Sequence, residues 1–306
     1  MTENICIVES PFQLICALEA TQYYEKEDFI IVVILNGGVE YQENNHQLKK
    51  TIDRYSFKKV KYLTGYKPHI ITEIKLLLLL YTQRRKNFYR LFIGDARSQV
   101  MRFASEILRI QQYYILDDGN FMKEIVGNHL SKKKPFNNTN SFKKIIIDFV
   151  SIILFRTILK DKKWSTVKLF TIYDFNNIIP SERILRNKLT LLTKKWKRKR
   201  QQTNEIIFLG GNLSELKIIE EEAEIELIKK IKQQFPDFVF KYSAHRRESS
   251  SKLMKIKYQL NIKVYRPSNP IEIEILDKEE LPTIVISFFS TALETLSIIC
   301  PEIKFY

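Results

Sequence analysis

The stretch ICIVESPFQLICALEATQYYEKEDFIIVVIL, residues 5–35, decides the fold class of this chain. Its first apolar run, residues 5–9, has the length of a buried strand and ends at Ser10-Pro11. Apolar residues then recur at helical spacing over residues 12–24, and a second apolar strand follows at residues 29–35. A strand, a helix and a strand in this order predict two parallel strands joined by a helix.

The same alternation continues along the first half of the chain and returns near its end. A second α/β unit begins at EIIFLGG, residues 205–211. Alternation of apolar strands with helices predicts a parallel, doubly wound sheet in each half. The further predicted strands are 60–63, 90–93, 113–116, 168–172, 238–242, 262–265 and 283–286, and the further predicted helices are 45–54, 69–86, 98–108, 218–234 and 292–299.

Length and pattern together predict two domains. A chain of 306 residues suits two α/β units of about 150 residues each. We expect an N-terminal Rossmann-like domain at 1–165, a basic connector at 166–203 and a C-terminal Rossmann-like domain at 204–306. The two parallel sheets are expected to face a central cleft.

Charge is the strongest compositional signal. The formal net charge is +15, which favours a partner of opposite sign such as nucleic acid, anionic lipid or a phosphorylated substrate. No helix-turn-helix, ribonucleoprotein or zinc pattern is present, so no nucleic-acid partner is expected. The basic residues cluster at 132–134, 143–144, 160–163 and 194–200, and residues 215–226 are acidic.

Location follows from the N-terminus, the cysteines and the apolar runs. The opening lacks a secretory pattern, and Cys6, Cys16 and Cys300 resemble buried thiols of a reducing compartment, so we expect a cytoplasmic protein. The apolar runs 74–81 and 145–155 are far shorter than the roughly 20 residues of a membrane span. The second run has basic flanks, which is typical either of a helix resting on anionic lipid at the inner membrane surface or of a buried core helix.

Three short polar segments follow apolar runs in the second half. They contain His245 in YSAHRRES, Glu272 in NPIEIEIL and Ser290-Thr291 in STALE. Ligands of open parallel sheets bind outside the carboxyl ends of the strands. An imidazole, a carboxylate and a hydroxyl pair at such ends suit a phosphate, a ribose diol and a leaving group, so the sequence predicts a nucleotide-sugar pocket. The opposite side of the cleft is expected to supply Ser10, Asp95, Asp117 and Asp118.

These segments resemble the motifs of the bacterial sialyltransferases. Those families share a D/E-D/E-G motif, an HP motif and a stretch of the form PFE…LPDxVxGxxSS. The opening ESPFQLICALEA, residues 9–20, is similar to the start of the family 52 lipooligosaccharide and capsule sialyltransferases. Arg246 replaces the proline of the HP motif and Thr291 replaces the second serine. The matching residues are Asp117-Asp118-Gly119, His245, Pro270-Ile271-Glu272, Leu281-Pro282 and Ser290-Thr291.

The resemblance implies a GT-B fold and a chemistry. Domain 1–165 would bind the acceptor, and domain 204–306 would bind a CMP-activated sialic acid or a related nonulosonic acid as donor. An inverting transfer to a hydroxyl of a cell-surface glycan or glycolipid would need neither a metal nor a cofactor, because CMP is already a good leaving group. A homodimer is compatible with the sequence.

Site residues follow from the same resemblance. His245 would contact the departing phosphate, Ser290 and Thr291 would hydrogen-bond its oxygens, and Glu272 would hold the ribose hydroxyls. Asp117, with Asp118 behind it, would be the base that deprotonates the acceptor. The remaining donor-binding residues are expected to be Ser10, Gly210 and Arg246, and an alternative base lies at Glu215 or at 220–222.

Simpler explanations exist for each motif. Asp-Asp-Gly is a common turn, Ser290-Thr291 suits a helix N-cap, and Glu272 fits a solvated face of the alternating IEIEI run. At the level of function, the alternatives are a basic nucleic-acid-binding protein and a non-catalytic nucleotide-sugar-binding module of a capsule assembly complex. The module would bind CMP without turnover.

Overall fold

The computed structural model describes residues 3–55, 57–132, 141–160, 166–194 and 200–306. The chain divides into two compact units, Met1–Leu191 and Leu192–Tyr306, called here the first and second unit.

The first unit is built on a parallel sheet with the strand order β3-β2-β1-β4-β5-β6-β7 over the described residues. The order reverses direction between β1 and β4, which lie side by side. In such sheets the crevice at this reversal is the usual place for a ligand. The strands are β1 (Glu3–Val8), β2 (Asp28–Leu35), β3 (Val60–Thr64), β4 (Asn87–Ile93), β5 (Arg109–Leu116), β6 (Val167–Thr171) and β7 (Ile184–Arg186). The helices are α1 (Pro11–Tyr23), α2 (Gln42–Tyr55), α3 (His69–Gln83), α4 (Gln99–Ile107), α5 (Phe121–Glu124), α6 (Ser141–Phe155) and α7 (Thr190–Lys194), the last of which runs across the unit boundary.

The second unit repeats the plan with the strand order β10-β9-β8-β11-β12, again parallel throughout the described residues. Here the reversal lies between β8 and β11. The strands are β8 (Gln202–Leu209), β9 (Val239–Ser243), β10 (Lys263–Tyr265), β11 (Leu281–Ser287) and β12 (Lys304–Phe305). The helices are α8 (Glu221–Gln233), α9 (Ser250–Leu260), α10 (Ile271–Leu276) and α11 (Ala292–Ile299).

Burial on both faces explains the continuous apolar strands. In β1, Ile5 and Ile7 pack into one apolar cluster, whereas Cys6 and Val8 pack into another on the opposite face. The side chains of a strand alternate between the two faces, so a strand covered on both sides is apolar at every position. The core therefore lies in two layers about the first sheet.

The predicted connector at 166–203 differs from the structure. Strand β6 pairs with β5 and β7 pairs with β6, so residues 167–186 extend the first sheet. The first unit accordingly reaches Leu191 and not residue 165. The sequence predicts the first of these strands, at 168–172, but not β7, whose three residues give too short an apolar run. Of the basic clusters, residues 133–134, 162–163 and 195–199 lie outside the described residues.

The apolar run at 74–81 lies in α3, where Leu76, Leu77 and Leu80 are buried. No helix within the described ranges is both long enough and apolar enough to pass through a bilayer. The three cysteines are buried free thiols.

Candidate functional site

A cavity of about 180 Å³ opens at the strand reversal of the second unit, and it is called here the second-unit cavity. Gly210 enters it directly after β8, His245 comes two residues after β9, and Ser290 and Thr291 follow β11. The structure thus brings together four residues that are up to 81 positions apart in sequence (291 − 210). Its full lining is Gly210, Gly211, Asn212, Leu213, His245, Ser287, Phe288, Phe289, Ser290 and Thr291.

His245 is held as a neutral ring. Its Nδ1 accepts the backbone N–H of Arg247 at 3.3 Å, so the single proton of the neutral ring resides on Nε2. Burial lowers the pKa of His245 to about 3, and the positive charges of Arg246, Arg247 and Arg266 add to the effect. The imidazole can therefore donate a hydrogen bond to an anionic ligand in the second-unit cavity without carrying charge itself.

The start of α11 supplies the hydroxyl groups. The Oγ of Ser290 accepts the N–H of Ala292 at 3.2 Å, so the predicted capping by this pair is carried out by Ser290. Thr291 occupies the N-cap position, and its side chain makes no capping hydrogen bond. A helix start beside a hydroxyl that is not used for capping favours a phosphate oxygen, because amide N–H groups and the helix dipole both attract negative charge.

Glu272 lies in α10 and is not among the residues that line the second-unit cavity. It is buried and accepts the hydroxyl of Thr295 on α11 at 2.9 Å. Burial raises the pKa of Glu272, while Thr295 and the charge of Arg246 oppose that rise. The alternative of a solvated face is wrong, because IEIEI forms a buried helix and not an exposed strand. The hydrogen bond with Thr295 suits Glu272 to supporting α11 rather than to binding a ribose.

A buried lysine joins the loops around the second-unit cavity. Lys252 has 0% exposure, and its Nζ lies 2.8 Å from Glu224, 3.0 Å from Glu248 and 3.0 Å from the carbonyl of Gly211. Burial alone would lower the pKa of Lys252, but these carboxylates outweigh it, so the pKa is raised and the ammonium stays charged.

Glu248 connects Lys252 to His245, because its carboxylate contacts both residues. One oxygen of Glu248 accepts the N–H of His245 at 2.6 Å, and the other accepts the hydroxyl of Tyr242 at 2.6 Å. Arg266 donates to the carbonyls of His245 and Glu248. A Cβ added at Gly210 would lie 2.3 Å from the Glu248 carboxylate, so this position accepts only glycine without displacing the network. The backbone of His245 is therefore held from both sides.

Asp117 is fully buried in the first unit. Its two oxygens accept the hydroxyl of Thr171 at 2.6 Å and the N–H of Ile172 at 2.7 Å, which ties the end of β5 to the end of β6. Burial raises the pKa of Asp117 to about 7, although both hydrogen bonds oppose the shift. A carboxyl with both oxygens bonded and no exposed surface has no place for an acceptor hydroxyl, so its position does not suit the predicted base.

Asp118 is engaged in a different way. It accepts Gln13 Nε2 at 2.8 Å and pairs with Arg97 at 2.5 Å, and Arg97 also pairs with Asp95 at 2.9 Å. Gly119 has φ 63°, a left-handed conformation that glycine adopts without strain, so Asp117-Asp118-Gly119 is also a turn. Ser10 is the N-cap of α1 and accepts the N–H of Gln13 at 3.3 Å. Ser10 and Asp118 thus lie in the first unit.

Glu9 is the functional candidate that the sequence analysis did not include. It lines a cavity of about 250 Å³ at the strand reversal of the first unit, called here the first-unit cavity. Burial and the adjacent Asp95 carboxyl raise the pKa of Glu9 to about 8, and Asn36 opposes the shift. The Asp95 carboxyl therefore favours the protonated form of Glu9 at neutral pH, because adjacent carboxylates repel each other. The one available signal was its position, an acid ending an apolar strand beside a helix cap.

The first-unit cavity also has cationic, aromatic and apolar walls. Arg97 and Lys143 supply the cationic part of its lining. Tyr41 and His69 supply the aromatic part and pack edge to face with ring centroids 5.5 Å apart. Such a mixture of hydrogen-bonding and aromatic surface suits a polyhydroxylated ligand. The complete lining is Glu9, Ile34, Asn36, Tyr41, His69, Thr72, Glu73, Leu76, Asp95, Arg97, Ser98 and Lys143.

The alternative acids in the second unit are occupied elsewhere. Glu215 accepts the N–H of Ser249 at 2.8 Å and lies 3.5 Å from Lys252. Glu221 and Glu222 pair with Lys255 on the surface. None of residues 215 and 220–222 lines the second-unit cavity. Within the described ranges, no group of three or more His, Cys, Asp or Glu side chains is arranged to hold a metal ion.

Solved structures with a similar fold include three UDP-GlcNAc 2-epimerases. The enzyme of Methanocaldococcus jannaschii, in complex with UDP-GlcNAc and UDP, is 14% identical with a TM-score of 0.55, covering 98% of this chain and 82% of that chain. The Neisseria meningitidis enzyme bound to UDP-GlcNAc is 12% identical with a TM-score of 0.53, and the match covers 96% of this chain and 79% of that chain. A putative enzyme of Listeria monocytogenes is 9% identical with a TM-score of 0.52, and the match covers 96% of this chain and 76% of that chain.

The predicted GT-B-like fold class, with two Rossmann-like units, is confirmed. Likeness at this level of identity concerns the fold, since one fold can support many activities. No protein-family model matches the sequence, and no curated protein matches it significantly. The sialyltransferase resemblance and the CMP preference stay predictions.

Proposed function

We propose that this protein is an inverting, metal-independent glycosyltransferase. It would move sialic acid or a related nonulosonic acid from a CMP-sugar to a hydroxyl of a cell-surface glycan acceptor, of capsule or lipooligosaccharide type. The observation that carries the proposal is the joint lining of the second-unit cavity by Gly210, His245, Ser290 and Thr291 at the strand reversal.

The donor residues act on the departing phosphate. His245 and Thr291 both line one cavity, where the Nε2–H and the hydroxyl would donate hydrogen bonds to phosphate oxygens. The start of α11 adds its dipole. Charge that develops on the leaving CMP is then stabilised by groups that are already in position, which lowers the barrier without reorganisation.

The base is assigned to the Glu9–Asp95 pair in place of Asp117. A base must come within hydrogen-bond reach of the acceptor hydroxyl, and Glu9 and Asp95 line the first-unit cavity whereas Asp117 is enclosed. With a pKa of about 8, Glu9 is ionised in a minor fraction of molecules at neutral pH, and this ionised form is a stronger base than an ordinary carboxylate. Arg97 pairs with Asp95 and, through another nitrogen, with Asp118.

Ligand-dependent melting of the whole chain tests the donor class. CMP should raise the melting temperature more than UDP or GDP, because a ligand bound only by the native state stabilises it, by about 2.7 kcal/mol at 100 times its Kd. Addition of EDTA should change nothing. Stabilisation by UDP alone would instead assign the site to a UDP-sugar, the ligand of the M. jannaschii and N. meningitidis epimerases.

The variant His245→Ala tests the site. It should lose the CMP shift and lower CMP-sugar turnover by about 100-fold or more, the range of a lost transition-state hydrogen bond. His46→Ala, at an exposed position of α2, is the matched control and should behave like wild type. Equal turnover by His245→Ala and wild type would reject the assignment. CMP binding without turnover in the wild type would identify a non-catalytic module.

A further inference from the structure

Helix α6 of the first unit is apolar on both sides, yet one side is open to solvent. On its inner side Ile147 and Ser151 are fully buried, and Phe155 meets Tyr81 of α3 with ring centroids 5.5 Å apart. A helix that is apolar all round normally lies inside a protein. Here the outer side has no partner among the described residues, although the helix is firmly attached by its inner side.

The exposed side forms one continuous stripe, called here the outer face of α6. Phe142, Ile145 and Phe149 are 73%, 64% and 63% exposed, and Ile152 and Ile153 continue the stripe by a further turn at 47% and 62%. The spacings of three, four, three and one residues keep all five side chains within one arc of the helix. Scattered exposed apolar residues are ordinary, whereas five on one arc mark a contact surface.

Basic residues surround the outer face. Lys144 lies in the first turn and is exposed, and Arg156 and Lys160 follow the last turn. Between residues 141 and 160 the sequence holds four basic residues and a single acid, Asp148. Lys143 is different, because it pairs with Glu73 of α3 at 2.7 Å and fastens the helix to its unit. The field over the outer face is therefore positive at both ends.

We propose that the outer face of α6 docks on the surface of an anionic lipid bilayer. The five apolar side chains enter the boundary between headgroups and acyl chains, while Lys144, Arg156 and Lys160 contact the anionic headgroups. The overall charge of +15 attracts the chain to such a surface, and the apolar stripe then fixes its orientation. An apolar face with cationic ends matches an anionic lipid surface better than it matches the same face of a second copy, because pairing two copies would bring like charges together.

Co-sedimentation of the full chain with vesicles tests this surface. The wild type should bind vesicles of phosphatidylcholine and phosphatidylserine, bind pure phosphatidylcholine weakly, and dissociate as salt is raised. Phe149→Ser should lower the partition coefficient by about tenfold, the effect of removing one large apolar side chain from the lipid boundary. Lys144→Glu should weaken binding to the anionic vesicles only.

Matched controls come from the second unit. Tyr258→Ser removes a side chain that is 69% exposed on α9, and Lys230→Glu reverses an exposed charge on α8, and both should bind vesicles like wild type. Wild-type protein that stays in the supernatant with anionic vesicles overturns the proposal, as does equal binding by Phe149→Ser and Tyr258→Ser. A lipid-free dimer that dissociates on Phe149→Ser, without vesicle binding, would assign the outer face to a second copy and also overturn it.

Discussion

Glu9 retains its proton at neutral pH because burial and Asp95 raise its pKa from the usual 4.5 to about 8. The unfolded chain releases this proton above pH 4.5, whereas the native chain keeps it until about pH 8. The contribution of Glu9 to the free energy of unfolding is therefore complete below pH 4.5 and is lost as pH rises through 8.

The variant Glu9→Gln should remove this pH dependence. The difference in free energy of unfolding between wild type and variant should fall with rising pH, by at most about 1.4 kcal/mol per unit. Urea unfolding at a series of pH values measures it, with Glu106→Gln at an exposed position of α4 as control. Parallel profiles for wild type and Glu9→Gln would show that Glu9 is ionised in the native state. The same variant should slow transfer by about 100-fold or more if Glu9 belongs to the base.

At the residue scale, the sequence indicated which side chains could bind a nucleotide sugar more reliably than it indicated which residues those side chains contact. His245, Ser290 and Thr291 could be placed together because each follows a strand of one parallel sheet, and strand ends share an edge. The burial of Asp117 could not be foreseen, because it depends on hydrogen bonds from Thr171 and Ile172, which are 54 and 55 residues further along the chain. The raised pKa of Glu9 likewise depends on Asp95, 86 residues further along (95 − 9).

Helix α9 stabilises the loops around the second-unit cavity through the contacts of Lys252 with Gly211, Glu224 and Glu248. Substitution by methionine would leave Glu224 and Glu248 as buried like charges without their shared cation. Lys252→Met should lower the free energy of unfolding by about 3–5 kcal/mol, as is usual when one partner of a buried ion pair is removed. Denaturant unfolding measures the change.

Lys255→Met, three residues along the same helix, is the control for this prediction. Lys255 pairs with Glu221 and Glu222 at the surface, where ion pairs contribute little, so its loss should have a much smaller effect. Equal losses in the two variants would mean that the buried network around Lys252 is not what holds the cavity loops.

At the element scale, most strands and helices could be predicted from apolar runs and helical spacing, whereas one very short strand and one misleading alternation could not. Helix α11 begins and ends at the predicted residues 292 and 299, because its apolar spacing is regular. The IEIEI segment alternates like a strand but forms α10, because Pro270 precedes it and burial of Glu272 against Thr295 suits a helix. Strand β6 matches the predicted strand 168–172 to within one residue, whereas β7 has only three residues, too few for an apolar run to be recognised.

At the scale of the whole molecule, the charge of +15 leads to a prediction about nucleic acid. Random-sequence duplex DNA should bind at low ionic strength and be released steeply as salt rises, because counterion release drives such binding. The melting shift produced by CMP should change far less over the same range of salt concentration, since the contacts that the protein makes with bound CMP are partly buried. Fluorescence anisotropy and thermal melting compare the two.

A different outcome would favour the alternative function. DNA binding that persists at physiological salt and depends on base sequence would identify a nucleic-acid-binding protein. The chain fold itself would be unaffected by that result, since the two parallel sheets follow from the alternation of apolar strands and helices and not from charge.

The separation between sheet and cavity wall has a practical consequence for laboratory evolution. Residues 211–213 and 288–291 line the second-unit cavity, yet they come after the last paired residues of β8 and β11. A combinatorial library confined to these seven positions (3 + 4) would leave the strands of the second unit unaltered. Most members should therefore still fold, and selection for a new nucleobase or sugar preference could proceed on an intact scaffold.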